Sequence, residues 1–143
     1  MGLVEAGVGL IPSGGGTTEM LTRYTDQLLP TENAFSAIRK AFEQIALAKT
    51  STSALEARED LGYLRDSDGI SFNRDYLLSD AKKRVLELAQ GYVQPQPRVD
   101  LPALGEAAIA NLKVAVHGLQ LSKQASQHDG VIALQLAKIL AGG

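Results

Sequence analysis

The sequence predicts a mainly α protein of about six helices with at most short strands, and three observations carry that expectation. Apolar residues recur at spacings of three and four, as in Phe35, Ile38, Phe42 and Ile45, which is the period of one helical face. Helix-ending residues recur as well, with Pro30, Gly62 and Gly91 each closing a periodic stretch. Extended pieces are few: residues 3–8 read as a brief buried strand, and Ile70 and Phe72 alternate within a turn.

Composition bounds the rest. The chain has 143 residues, 45% hydrophobic and 21% charged, which suits one globular core and excludes wholesale disorder. A net charge of −2 without any Lys/Arg block leaves no electrostatic footprint for nucleic acid. The absence of cysteine excludes disulfides, thiolate catalysis and Cys-based zinc sites, and fits a cytoplasmic location. No apolar run approaches the length that spans a bilayer, and Met1–Glu5 lacks the basic start of a signal peptide. A chain that opens inside a hydrophobic strand, which has nothing to pair with, is expected to be a piece of a longer protein.

The opening stretch, Gly2 to Leu21, carries the chemistry. Glu5 stands alone among Leu3, Val4, Val8, Leu10 and Ile11. An ionised carboxylate stripped of water costs several kcal/mol unless compensated, so Glu5 is a candidate general acid/base. The alternative is a strand-end glutamate that reaches solvent. Pro12 stops the run, and Gly14, Gly15 and Gly16 lead into a helix from Gly16 or Thr17 to about Leu28, with Glu19 favouring its positive end. The glycines form a cradle for an anion, but no Gly-Lys-Ser/Thr follows, and Gly7-Val-Gly9 lacks the third glycine of a dinucleotide fingerprint.

A second helix follows Thr31 with its apolar stripe inward and Arg39, Lys40, Glu43 and Gln44 away from it or at its edge. Ser53-Ala-Leu-Glu56 is a capping box that starts a short helix ending at Gly62. Asp66 to Gly69 make a solvated turn, since a calcium loop's twelfth-position glutamate is missing. The fourth helix runs from near Asp75 to Gly91, with Leu77, Leu78, Ala81, Val85, Leu88 and Ala89 expected inside. Gln94-Pro-Gln-Pro97 and Pro102 form an extended linker. A helix from about Ala103 to Lys123 then buries Ile109, Leu112, Val116 and Leu119, and one from near Ser126 turns Ile132, Leu136 and Ile139 inward. His117 and His128 are isolated and make neither a triad nor a metal site, so no metal is expected.

Glu5, Gly9, Leu10-Ile11, Pro12, Gly14-Gly15-Gly16 and Thr17 together resemble the signature of the crotonase (enoyl-CoA hydratase/isomerase) superfamily. Val4 and Ser13 depart from it, standing where many relatives have proline and glycine. Ala54-Leu-Glu-Ala57 to Gly62-Tyr-Leu64 resembles a short helix of the same fold. Glu43–Ala54, Asn73–Asp75, Leu78–Lys82 and Val93–Pro97 resemble bacterial multifunctional fatty-acid oxidation proteins. Those carry an NAD-dependent 3-hydroxyacyl-CoA dehydrogenase portion first and a crotonase-type hydratase portion last.

The resemblance implies that the chain is the helical C-terminal fragment of an α/β crotonase-like fold. Residues 1–91 would be the end of that domain, residues 92–102 a linker, and residues 103–143 a two-helix extension. Glu5 would be the second of two glutamates around one water, and the backbone N–H groups of Ser13 and Gly14 would help position that water. The first glutamate and the oxyanion donors would lie upstream, leaving the chain inactive alone. The parent would act on a CoA thioester with NAD, no cofactor being bound by these residues, and would form a homo-oligomer. Isomerase and hydrolase variants remain open. The competing reading is a stand-alone helical interaction module in which Glu5 is solvated and the glycine turn merely starts a helix.

Overall fold

The computed structural model describes residues 1–142. Six α-helices follow one another: α1 (Gly16–Asp26), α2 (Ala34–Ala46), α3 (Ala54–Glu59), α4 (Leu77–Ala89), α5 (Gly105–Leu121) and α6 (Gln127–Ala141). The mainly α expectation holds, and the described residues contain only an isolated bridge between Gly2 and Thr50 in place of a sheet.

The expected strand over residues 3–8 is a 3-10 helix, Glu5–Val8. A strand needs a neighbour for its backbone groups, and the described residues supply none beyond that bridge. The segment satisfies itself locally instead, with the Gly9 amide donating to the Ala6 carbonyl (3.1 Å) and the Leu10 amide to the Glu5 carbonyl (3.0 Å). Its apolar run is therefore split: Ala6 is buried, whereas Val4, Val8 and Leu10 face solvent.

The core is centred on α2, whose Ile38, Ala41 and Ile45 are fully enclosed. Met20, Leu21 and Tyr24 of α1 reach it, as do Leu112 and Val116 of α5 and Leu136 and Leu140 of α6. Residues 122–126 join α5 and α6 into a helical hairpin that packs on α2 and α1, so one core unites the two ends of the chain. Ile139 was expected inside but is half exposed; Ala137 and Leu140 occupy the inward positions instead. The broad apolar surface of α6 lets its rotation be chosen by neighbours rather than by its own pattern.

Gln44 also departs from expectation. It is buried, with its Oε1 accepting from the Tyr24 hydroxyl at 2.7 Å and its Nε2 donating to the Leu61 carbonyl at 2.5 Å. Burial of this kind is tolerated only because both ends of the amide are paired. Burial first, and Tyr63 second, push the Tyr24 hydroxyl up from 10.0 to about 12. A raised folded value means that the neutral hydroxyl is the stabilised form. Its contribution is complete below pH 10.0 and is lost as pH rises toward about 12. Tyr24→Phe is expected to cost about 1–3 kcal/mol, because it strands the buried Gln44 oxygen, and to remove that alkaline loss. Urea unfolding at neutral and alkaline pH reads both effects.

Caps follow the sequence in part. Ser126 and Asp129 make the full reciprocal box at the start of α6. At α3 only half forms: Ser53 accepts from the Glu56 amide, while the Glu56 carboxylate turns to the amide (2.6 Å) and hydroxyl (2.7 Å) of Thr52.

The largest correction concerns α4. Not one of its residues is buried, and exposure runs unbroken over residues 72–100. Its apolar stripe is real, but the one named element α4 packs on is the 3-10 turn Arg74–Tyr76 that precedes it, with residues 69–71 along one edge. The chain returns through an exposed segment held by Arg98, which pairs with Asp26 at 2.8 Å and Asp100 at 2.6 Å.

Candidate functional site

The opening segment is tied to the helical body at two points, the second continued by a bond within the body. The amide of Ser51 donates to the Met1 carbonyl (2.8 Å), Leu3 donates to the Tyr63 hydroxyl (3.2 Å), and that hydroxyl donates to the Lys49 carbonyl (2.7 Å). Arg23 braces the same corner through the carbonyls of Gly62 (3.1 Å) and Tyr63 (2.5 Å). Leu3 packs against Gly16 so closely that an added Cβ would lie 2.8 Å from its Cδ2, which joins the two ends of the 3–16 loop.

Glu5 heads the 3-10 turn and is half-buried. Its Oε2 is enclosed and has no hydrogen-bond partner. A buried carboxylate oxygen without a donor is costly, so this atom is the one in the segment with unused capacity for a ligand or a proton. The side chain is partly shielded by a helical turn and not by a strand.

Gly9 ends the turn at φ 77°, in the left-handed region. A Cβ there would sit 3.0 Å from His128 Nε2, so the imidazole of α6 lies directly over the glycine. His128 therefore joins the opening segment to α6, a packing role that its sequence position did not reveal. His117 is exposed on α5 and away from this corner's contacts.

Pro12 is buried, and Ser13 and Gly14 beyond it are exposed. Gly15 takes φ 86° as the N-cap of α1, and its carbonyl accepts from the Glu19 amide at 2.9 Å. No side chain caps that end of α1. Among the described residues the Ser13 and Gly14 amides donate to no backbone acceptor, and a Cβ on Gly14 would meet nothing within 4 Å. The turn thus presents backbone donors to open space beside the positive end of a helix, an arrangement that favours an acceptor oxygen or an anion.

A cleft of about 250 Å³ lies on the other side of the 3-10 turn, between Ala6, Gly7, Phe42, Val116, Ala125 and neighbouring groups. It is largely apolar and does not take in Glu5, Ser13 or Gly14. Among the described residues no group of three His, Asp or Glu side chains is placed to hold a metal. Gly7 and Gly9 lie within a 3-10 turn and its left-handed cap, and no strand-to-helix crossover surrounds them, so these residues do not fit a dinucleotide.

No protein-family model matches the chain. No solved structure matches it significantly. The chain is similar to a probable 3-hydroxyacyl-CoA dehydrogenase of Bacillus subtilis, at 43% identity over all 143 residues. It spans 18% of that protein's length, so the likeness covers a minor portion of a much longer polypeptide.

Proposed function

We propose that these residues belong to a longer fatty-acid oxidation polypeptide, in which they carry one glutamate of an enoyl-CoA hydratase beside an NAD-dependent 3-hydroxyacyl-CoA dehydrogenase. The observation that carries the dehydrogenase part is the 43% identity across the whole chain to a much longer protein of that name. The hydratase part rests on the opening residues and on reaction chemistry. Adding water to a trans-2-enoyl-CoA yields a 3-hydroxyacyl-CoA, which is what a 3-hydroxyacyl-CoA dehydrogenase consumes.

In this reading the water oxygen bonds to C3, and the proton that it loses goes to a glutamate outside these residues. Charge builds on the thioester oxygen, and a protonated Glu5 delivers its proton to C2, leaving a carboxylate. The unpartnered Oε2 of Glu5 supports that role, because no protein donor competes for it. The amides of Ser13 and Gly14 hold the water or a nearby oxygen through backbone donors, the cheapest form of fixed polarity. One carboxylate is only half of this chemistry, so the 143 residues alone are inactive. NAD, which supplies the hydride acceptor of the second reaction, is held elsewhere in the longer polypeptide. A cytoplasmic location and a homo-oligomer belong to the same proposal; no described helix is long and apolar enough to cross a membrane.

The test is paired assays on the isolated chain and on the longer polypeptide. The expected result is hydration of crotonyl-CoA and NADH formation by the longer protein, and neither by the chain alone. NADH formation without hydration would remove the hydratase half. Hydration by the isolated chain would overturn the division of the two glutamates. A non-catalytic interaction module is the second reading, favoured by the uncovered stripe of α4.

A further inference from the structure

Helix α4 carries a narrow apolar seam that no other α-helix of this chain covers; only residues 69–71 lie along its edge, where Ile70 shares a cleft with Ala81 and Arg84. Leu78, Ala81, Val85 and Leu88 follow one another at spacings of three, four and three, and Tyr92 continues the series one step beyond the helix end. Leu78 is 84% exposed, and Val85 and Leu88 are more than half exposed. A seam of this width suits a partner helix rather than a sheet or a broad core. The two rims of the seam carry Lys82 on one side and Arg84 on the other, with no carboxylate on either rim. The acids of the helix, Asp80 and Glu87, lie behind Arg84; Glu87 approaches Arg84 at 3.6 Å, and Asp80 is engaged by the Ser71 hydroxyl.

We propose that α4 docks through this seam onto a helix elsewhere in the longer polypeptide, one whose apolar stripe is flanked by carboxylates that meet Lys82 and Arg84. The inference rests on the reading above that the chain is part of such a polypeptide. The 43% identity includes α4, and most of the relative's length lies outside the matched portion.

Charge chooses among the occupants. A second α4 brings two more cations to the rims and no anion. A lipid surface is a poor fit, because residues 74–87 carry Arg74, Lys82, Lys83 and Arg84 against Asp75, Asp80 and Glu87, which nearly cancel. An acid-flanked helix matches both the apolar seam and its rims.

Hydrogen exchange on the isolated chain and on the longer polypeptide tests this. The amides of α4 are expected to exchange at least about tenfold more slowly in the longer polypeptide, since opening would first require undocking. In that polypeptide the double change Lys82→Glu with Arg84→Glu is expected to restore fast exchange in α4 while α2 keeps its protection. Leu78→Asp is expected to do the same through the seam. Equal exchange of α4 in the two proteins would overturn the proposal, as would protection that survives the charge reversal. So would concentration-dependent protection in the isolated chain, which marks a second copy, or protection only with anionic phosphatidylglycerol vesicles. A protected α4 in a longer polypeptide that fails to hydrate crotonyl-CoA keeps the docking and removes the hydratase; an active polypeptide with unprotected α4 does the reverse.

Discussion

Glu5→Gln in the longer polypeptide is expected to lower kcat for enoyl-CoA hydration by about 100- to 10,000-fold with little change in KM. Glutamine keeps the size and the polarity of the side chain but has no proton to transfer at the pH of the reaction. Substrate contacts made by the rest of the thioester are untouched, so the loss falls on the step in which C2 is protonated. Oxidation of a supplied 3-hydroxyacyl-CoA with NAD is the internal control and is expected to continue at the unmodified rate. Steady-state kinetics of both reactions on one preparation separates a lost proton donor from a misfolded protein. Hydration at the unmodified rate would take Glu5 out of the mechanism and leave its Oε2 as a structural anomaly.

Ile38→Ala is expected to lower the stability of the chain by about 2–5 kcal/mol, the range for deleting a large aliphatic side chain from a close-packed site. Ile38 is fully enclosed at the centre of α2, in the core that α1 and α6 share with it. The cavity is bounded by several helices, so no single element can collapse to fill it. Leu78→Ala in the isolated chain is the contrast. It removes as much apolar volume from a solvent-facing position, with an expected change within about 0.5 kcal/mol. Urea unfolding of both variants measures the difference, and a loss below about 1 kcal/mol for Ile38→Ala would mean that α2 is not the centre of the fold.

The pattern of apolar residues was informative where it repeated over several turns. The stripe of Ile38, Phe42 and Ile45 lies in the core as its spacing requires, and Ser53 caps α3 by accepting from the Glu56 amide. The same reasoning failed for α4, whose stripe is correctly spaced but faces solvent. Periodicity says that one side of a helix is apolar; it cannot say that a partner is present. Gln44 shows the opposite case, a polar residue buried because Tyr24 and the Leu61 carbonyl answer its amide. Those groups are 20 and 17 residues away, beyond the reach of any local rule.

The candidate site divides along the same line. The residues in order were enough to single out Glu5 and the turn from Ser13 to Gly16, because a lone acid in an apolar run and a glycine-rich helix start are local properties. They were not enough to give the segment its shape. A strand is a cooperative structure that needs a second strand, and without one residues 5–8 wind into a 3-10 turn under His128.

What the sequence determined by itself was the helical character and most helix positions, and it marked one acid and one turn as candidates for chemistry, since each depends on neighbours a few residues apart. Tertiary structure alone decided that one Glu5 oxygen is left without a donor, that Gln44 is enclosed, and that α4 stands uncovered. Burial is a relation between segments distant in the chain, and only their packing assigns it.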